Sequence, residues 1–295
     1  MPLEISPKTI LNKKKKSDEW FLDDYTLNPY SGCSFNCLYC YIRGSKYGIH
    51  MEEKLAVKVN AAELLEKQLR NLVKKNKYGV IVLSSATDPY LQIEKELGLT
   101  RKLLEIILKY RFPVHIITKS DLVTRDFDLL KEIDRNAILP AKLREKINRG
   151  VFITFSFSTV NDYIAKVFEP GATPPTLRLT ALEQSAVAGF HCGVSMMPLL
   201  PFISDTEEEI EKMFVAFKAA GAKYIFPASL TLFGEGPADS KTLMFRSIVK
   251  YFPHLFDNYK KLFTDDFRIS SVYQKELSGR INRLVKKHEI KNRIV

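Results

Sequence analysis

Short apolar runs alternate with longer amphipathic segments along most of the chain, and this alternation restricts the fold more than any other feature. Strands are predicted at residues 25–30, 79–85 (GVIVLSS), 113–118 (PVHIIT), 151–157 (VFITFSF), 192–197 (CGVSMM, stopped by Pro198) and 223–229 (KYIFPAS). Helices are predicted at 60–75, 100–110 with Thr100 as N-cap, 125–134, 176–188 and 205–220. In the first of these Leu64, Leu65, Leu69, Leu72 and Val73 share one side, the spacing of an amphipathic helix. Strands that alternate with helices require parallel pairing with helical crossovers. The apolar runs suit strands covered on both faces. An open doubly wound sheet and a full or partial (β/α) barrel both satisfy the pattern. Either places function at the C-terminal ends of the strands.

Composition narrows the class. Hydrophobic residues make up 45% of the 295 and charged residues 27%, which excludes wholesale disorder. No stretch approaches the roughly 18 uncharged apolar residues of a membrane span, and the first residues lack the pattern of a secretory leader. The 45 Lys and Arg exceed the 34 Asp and Glu, for a net charge of +11, which permits an anionic partner such as DNA or RNA. The run Lys13–Lys16 reads as part of a solvated N-terminal extension, residues 1–24. The barrel is expected over 25–232 and a mostly helical C-terminal extension over 233–295. There Arg268, Lys275, Arg280, Arg283, Lys286 and Lys287 suggest an anionic groove, while Leu277, Ile281 and Leu284 suggest a helix that caps the core.

Four cysteines do not make a disulfide framework in a chain of this size. Three of them, Cys33, Cys37 and Cys40, form a C-x3-C-x2-C cluster inside NPYSGCSFNCLYCYIRG (28–44). Three thiolates on one short loop suit an iron–sulfur cluster or zinc. A closed zinc site needs four protein ligands. His50 is the nearest complement, but the aromatic-rich loop is unlike a zinc knuckle. Cys192, on a predicted strand, reads as a core thiol. A four-iron cluster held by three cysteines leaves one iron for a cofactor or substrate. Such a centre needs a reducing compartment, so a cytoplasmic location is expected.

The spacing, with Tyr39 as the aromatic before the last cysteine, resembles the radical S-adenosylmethionine (radical SAM) superfamily. The segments NPYSGCSFNCLYCY (28–41), SSATDPYLQIEKELGLTRKLLE (84–105), TKSDLVTRD (118–126), FSFST (155–159) and FGEGPADSK (233–241) resemble its spore photoproduct lyase-related branch. The resemblance implies a partial (β/α)6 barrel, and a [4Fe–4S] cluster on Cys33, Cys37 and Cys40 whose open iron binds S-adenosylmethionine. It implies reductive cleavage of that cofactor to a 5′-deoxyadenosyl radical, with electrons from a flavodoxin- or ferredoxin-type donor, and hydrogen abstraction from a substrate. It places Thr87 and Asp88 at the cofactor's amino group, and Lys119 and Ser156, with Ser158 in reserve, at its carboxylate. Tyr39 falls on the adenine side. Tyr41 is a candidate for hydrogen transfer.

One departure matters. Ser85 stands where the lyases carry a cysteine that donates a hydrogen atom to the product radical, and a serine O–H bond is too strong for that step. The chain is therefore expected to release no thymine efficiently from spore-photoproduct DNA. Efficient turnover in that assay would contradict the reading.

Overall fold

The computed structural model describes residues 2–15, 17–18, 20–45, 55–83, 85–264 and 267–295. His50, Ser84 and Lys16 lie outside the described residues. In chain order the strands are β1 (Leu3–Ile5), β2 (Leu11–Lys13), β3 (Tyr25–Leu27), β4 (Tyr30–Ser31), β5 (Ala56–Lys58), β6 (Ile81–Leu83), β7 (Val114–Thr118), β8 (Val151–Ser156), β9 (His191–Leu199) and β10 (Ile225–Ser229). The helices are α1 (Ala61–Lys74), α2 (Glu94–Leu97), α3 (Leu99–Tyr110), α4 (Phe127–Asn136), α5 (Ala141–Arg144), α6 (Asp162–Phe168), α7 (Pro175–Val187), α8 (Glu207–Ala219), α9 (Ser240–Tyr251), α10 (Phe256–Leu262) and α11 (Ser271–His288).

Six strands run parallel in the order β3, β6, β7, β8, β9, β10, and β2 adds antiparallel beside β3. Among the described residues β10 and β2 do not pair, so the curved sheet keeps an open seam and is a partial barrel. Strands β1, β5 and β4 form a separate small sheet.

Side-chain alternation sorts each strand between two environments. Val114, Ile116, Ile153, Phe155, Val194 and Met196 join the large core against the helices. Helix α1 brings Ala61, Leu65 and Leu69 to that core. Helix α8 starts at Thr206, whose hydroxyl accepts from the Glu209 N–H at 3.3 Å, with three glutamates in its first turn to favour the helix dipole.

The inner face is more polar. Leu22, Val80, Phe152, Tyr224, Phe226 and Ile294 make an apolar floor. Above it runs a buried chain from the Phe21 carbonyl to His115 (2.7 Å), Thr154 (2.6 Å) and Tyr224 (2.8 Å). A carbonyl only accepts, so His115 Nδ1 carries the proton and Nε2 accepts from Thr154. Gly193 leaves room for Tyr224, because a Cβ there would lie 2.4–2.6 Å from its atoms. Trp20 and Phe21 pack on Phe226 and close the floor across the seam.

Several expectations need correction. The strand predicted to stop at Pro198 continues through it to Leu199. Gly98, in the left-handed region, occupies the N-cap position of α3, and Thr100 instead donates its hydroxyl to the Pro89 carbonyl. The lysine run is not a free tail in its first part, since Lys13 belongs to β2 and Lys14 pairs with Asp23 at 3.2 Å. Three of the six cations named for a basic groove, Arg280, Arg283 and Lys287, are engaged within the fold. Arg283 and Lys287 pair with Glu207 and Glu211 of α8, and Arg280 donates to the Asp205 carbonyl. Leu277, Ile281 and Leu284 are buried, so α11 is a capping helix. No described helix is long and apolar enough to cross a membrane.

The buried histidine makes stability pH-dependent. Burial pushes its pKa down to about 4, whereas an unfolded histidine titrates near 6.5. Below about 6.5 the unfolded chain takes up a proton that the folded chain refuses. The contribution of His115 is therefore complete above that pH and is lost as pH falls towards 4, by up to roughly 3 kcal/mol. Urea unfolding at pH 7 and pH 4.5 should show a smaller stability difference in His115→Gln than in the wild type. Equal differences would contradict the assignment.

Candidate active site

A cavity of ≈ 430 Å³ opens at the C-terminal ends of the barrel strands. Thr26, Val82, Ile117, Ser195 and Ser229, from β3 through β10, all line it, so the sheet wraps around it. Cys37, Tyr39, Cys40, Tyr41, Lys119 and Ser156 form one end. An adjoining pocket of ≈ 150 Å³ shares several of these and adds Cys33, Thr87 and Asp88.

The cysteine loop leaves the short strand β4 through Gly32, which turns at φ +77°. A second segment, which follows α6, fastens it. The Leu38 N–H donates to the Phe168 carbonyl at 2.9 Å, and the Gly171 N–H donates to the Phe35 carbonyl at 3.0 Å. A Cβ on Gly171 would fall 2.3 Å from the Ser34 carbonyl oxygen, so only glycine permits this approach. Arg43 Nε donates to the Cys37 carbonyl at 3.2 Å. Further on, Ser240 Oγ donates to the Arg43 carbonyl at 3.2 Å, which ties FGEGPADSK to the end of the loop.

Cys33, Cys37 and Cys40 are free thiols, each partly exposed. Burial pushes the Cys33 thiol up to about 12 and raises Cys37 as well. A metal centre must therefore displace protons to bind. Among the described residues no three Cys, His, Asp or Glu side chains converge on a single ion. Cys192 is fully buried and faces the Leu182 carbonyl of α7, away from this loop. The donor set is three soft ligands opening on a cavity with a lysine and hydroxyls. It fits an iron–sulfur cluster whose remaining coordination comes from elsewhere.

The other candidates divide. Lys119 Nζ donates to Ser156 Oγ at 3.0 Å and lies 5.8 Å from the centre of the Tyr39 ring. Asp88 is buried and accepts from Thr118 Oγ1 (2.8 Å), Lys119 N (2.8 Å) and Tyr90 N (2.9 Å). Burial raises its carboxyl, and these donors pull it back in part. Its oxygens thus hold the backbone that carries Lys119. Thr87 donates to the Gly32 carbonyl at 2.5 Å, which holds the start of the cysteine loop. Ser158 does not line the cavity. It lies behind it and donates to Glu169 Oε1 at 2.7 Å. Tyr41 lines both pockets and donates to the Ser85 carbonyl. Ser85 Oγ in turn accepts from Asn28 Nδ2 at 2.8 Å.

Sequence reasoning missed Glu169 and Arg178. They form a buried pair at 2.6 Å, and Glu169 also accepts from the Tyr39 hydroxyl. Arg178 shares the buried face of α7 with Ala181, Leu182 and Ser185, and an arginine on that stripe was the available signal. A second missed network interlocks two of the resembling segments. Arg125 pairs with Glu94 and Asp126, and Arg101 with Asp126 and Asp128.

The fold and the site together define a partial α/β barrel with a cysteine-rich loop facing the cavity at its strand ends. The profile described as the Radical SAM superfamily matches residues 27–214, more than half of the chain, and the chain belongs to that superfamily. It is accordingly an enzyme of radical SAM chemistry, with S-adenosylmethionine and an iron–sulfur cluster as its cofactors. A protein of Mycobacterium tuberculosis of unassigned function is 26% identical over 273 residues, 90% of this chain and 75% of that protein. The radical SAM Nα-GlyT isomerase of Pseudomonas phage M6 is 25% identical over 207 residues, 70% of this chain and 39% of that protein. A spore photoproduct lyase variant, solved with AdoMet and dinucleoside spore photoproduct, matches the fold with a TM-score of 0.64. Identity is 17%, over 97% of this chain and 78% of that one.

Asp88→Asn leaves the N–H groups of Tyr90 and Lys119 and the Thr118 hydroxyl with a weaker, half-mismatched acceptor. A loss of about 1–3 kcal/mol is expected in urea unfolding. A variant as stable as the wild type would show that the carboxylate does not organise this turn.

Proposed function

We propose that Cys33, Cys37 and Cys40 hold a [4Fe–4S] cluster with one iron open to S-adenosylmethionine, and that the enzyme abstracts hydrogen from a substrate admitted to the barrel cavity. The observation that carries this reading is that three free thiols, Lys119 and Ser156 line one small pocket adjoining the barrel cavity. When bound, the cluster and cofactor supply an electron and a 5′-deoxyadenosyl radical, and the protein supplies position and shielding.

Lys119 offers its ammonium, and Ser156 its hydroxyl, to the cofactor's carboxylate. Asp88 keeps Lys119 in place through the backbone. Thr87 and Asp88 border the end where the amino group would sit, with Asp88 acting mainly through the turn it organises. Tyr39 covers the adenine side with its ring. Ser158 acts only through Glu169 and Tyr39. Tyr41 is the proposed hydrogen donor. Its hydroxyl is held at the cavity by the Ser85 backbone, and its O–H bond is weaker than that of a serine. Donation would give a hydrogen atom to the substrate radical and leave a phenoxyl, which one electron from the reductant and one proton from solvent would restore.

We propose a nucleic acid as the substrate class. The lyase variant solved with a dinucleoside spore photoproduct supports a nucleic acid, as does the net charge of +11. A flavodoxin- or ferredoxin-type protein is the proposed electron donor, in a reducing, cytoplasmic setting. Residues 1–24, 25–232 and 233–295 are proposed as extension, barrel and capping segment.

The test is formation of 5′-deoxyadenosine by anaerobically purified, iron- and sulfide-reconstituted protein given dithionite and S-adenosylmethionine. Product from the wild type and at least about a hundredfold less from Cys37→Ala is expected, the scale of a lost essential group. Equal product from both, or a chain that loads one zinc instead of iron, would overturn the proposal.

A further inference from the structure

The buried pair Glu169–Arg178 stands one layer behind the cysteine loop, and the chemistry above uses neither charge directly. Both side chains are fully enclosed and meet at 2.6 Å. A buried ion pair is commonly no more stabilising than apolar residues of equal volume. Packing alone therefore does not account for it. The Nε of Arg178 is even left without a partner.

The contacts of the pair do account for it. Glu169 Oε1 accepts from the hydroxyl of Tyr39, the residue just before Cys40, and from Ser158. Arg178 Nη1 donates to the Ser156 carbonyl. The Ser156 hydroxyl in turn accepts from Lys119. One pair of opposite charges thus braces the cysteine loop on one side and the lysine wall on the other. The backbone on either side of Glu169 is bonded to the same loop, through Phe168 and Gly171. Burial alone would raise the Glu169 carboxyl, but Arg178 and then Lys119 outweigh it and hold the group ionised. Its charge is felt at Cys37.

We propose that the Glu169–Arg178 pair sets the reduction potential of the centre held by the cysteine loop, with Glu169 also the positioning residue for Tyr39. The proposal rests on the cofactor reading above. Reduction adds negative charge to the centre. A fixed charge in a water-poor interior acts on it more strongly than one in solvent. Losing the carboxylate leaves Arg178 uncompensated and makes reduction easier. Losing the guanidinium leaves Glu169 uncompensated and makes it harder.

The experiment is an EPR-monitored redox titration at pH 8 of reconstituted wild type, Glu169→Gln, Arg178→Met, the double variant and Tyr39→Phe, each with measured iron and sulfide. The midpoint is expected to rise in Glu169→Gln and to fall in Arg178→Met. It should return towards the wild type in the double variant and stay near it in Tyr39→Phe, which keeps both charges. Simple loosening of the loop would not give opposite signs or restore the value in the double variant. Shifts of the same sign, or none in either single variant at full iron content, would overturn the proposal. If Arg178→Met does not fold, the other two singles decide. A rise in Glu169→Gln with none in Tyr39→Phe supports the proposal, and equal shifts overturn it. A wild type that takes up no iron would overturn the cofactor reading itself, which the iron analysis reveals before any variant is compared.

Discussion

An eight-residue loop carrying three thiols cannot hold its own shape, so the site depends on what grips that loop from outside. Here the grip is backbone hydrogen bonding to the segment after α6, where Gly171 allows a contact that no side chain would tolerate. Thr87 holds the entry to the loop, and Arg43 with Ser240 holds its exit. Residues from three distant parts of the chain thereby converge on one short stretch. Each supplies an ordinary hydrogen bond, worth about 1 kcal/mol net on its own. Together they hold the backbone of the loop against the barrel.

The barrel explains why these parts meet. Parallel strands place every crossover's return at the same end, so the segments after β6, β7 and β8 lie side by side. Asp88, Lys119 and Ser156 are those segments' contributions, and they touch in sequence: Asp88 holds the Lys119 backbone, and Lys119 reaches Ser156. The cavity at these strand ends measures ≈ 430 Å³. Trp20 and Phe21 seal its floor. Arg283 and Lys287 of the last helix pair with acids of α8, which offsets part of the positive charge there.

The fold was legible because apolar runs and helical spacing are local signals, and strand positions followed within a few residues. The cysteine loop was legible because its spacing is chemically specific. What escaped was tertiary. Glu169 precedes Pro170 and Gly171 in what reads as an ordinary turn, and only the fold reveals that its carboxylate reaches Tyr39, 130 residues away in sequence. Ser158 shares the strand-side spacing of Ser156, yet β8 ends at Ser156 and the later hydroxyl turns behind the cavity. Thr100 has the right residue type for a helix cap, but Gly98 takes that position because its left-handed backbone links α2 directly to α3. The pairing of Arg283 and Lys287 with α8 was not legible, because charge in sequence carries no information about the acids opposite.

In the proposed site three cysteines leave one iron of the cluster available to the cofactor. Mössbauer spectroscopy of protein reconstituted with ⁵⁷Fe, before and after addition of S-adenosylmethionine, tests it most directly. The account predicts about four irons per chain, with one changing its environment when the cofactor is added and the others unmoved. A spectrum that S-adenosylmethionine leaves unchanged, at full iron content, would contradict it.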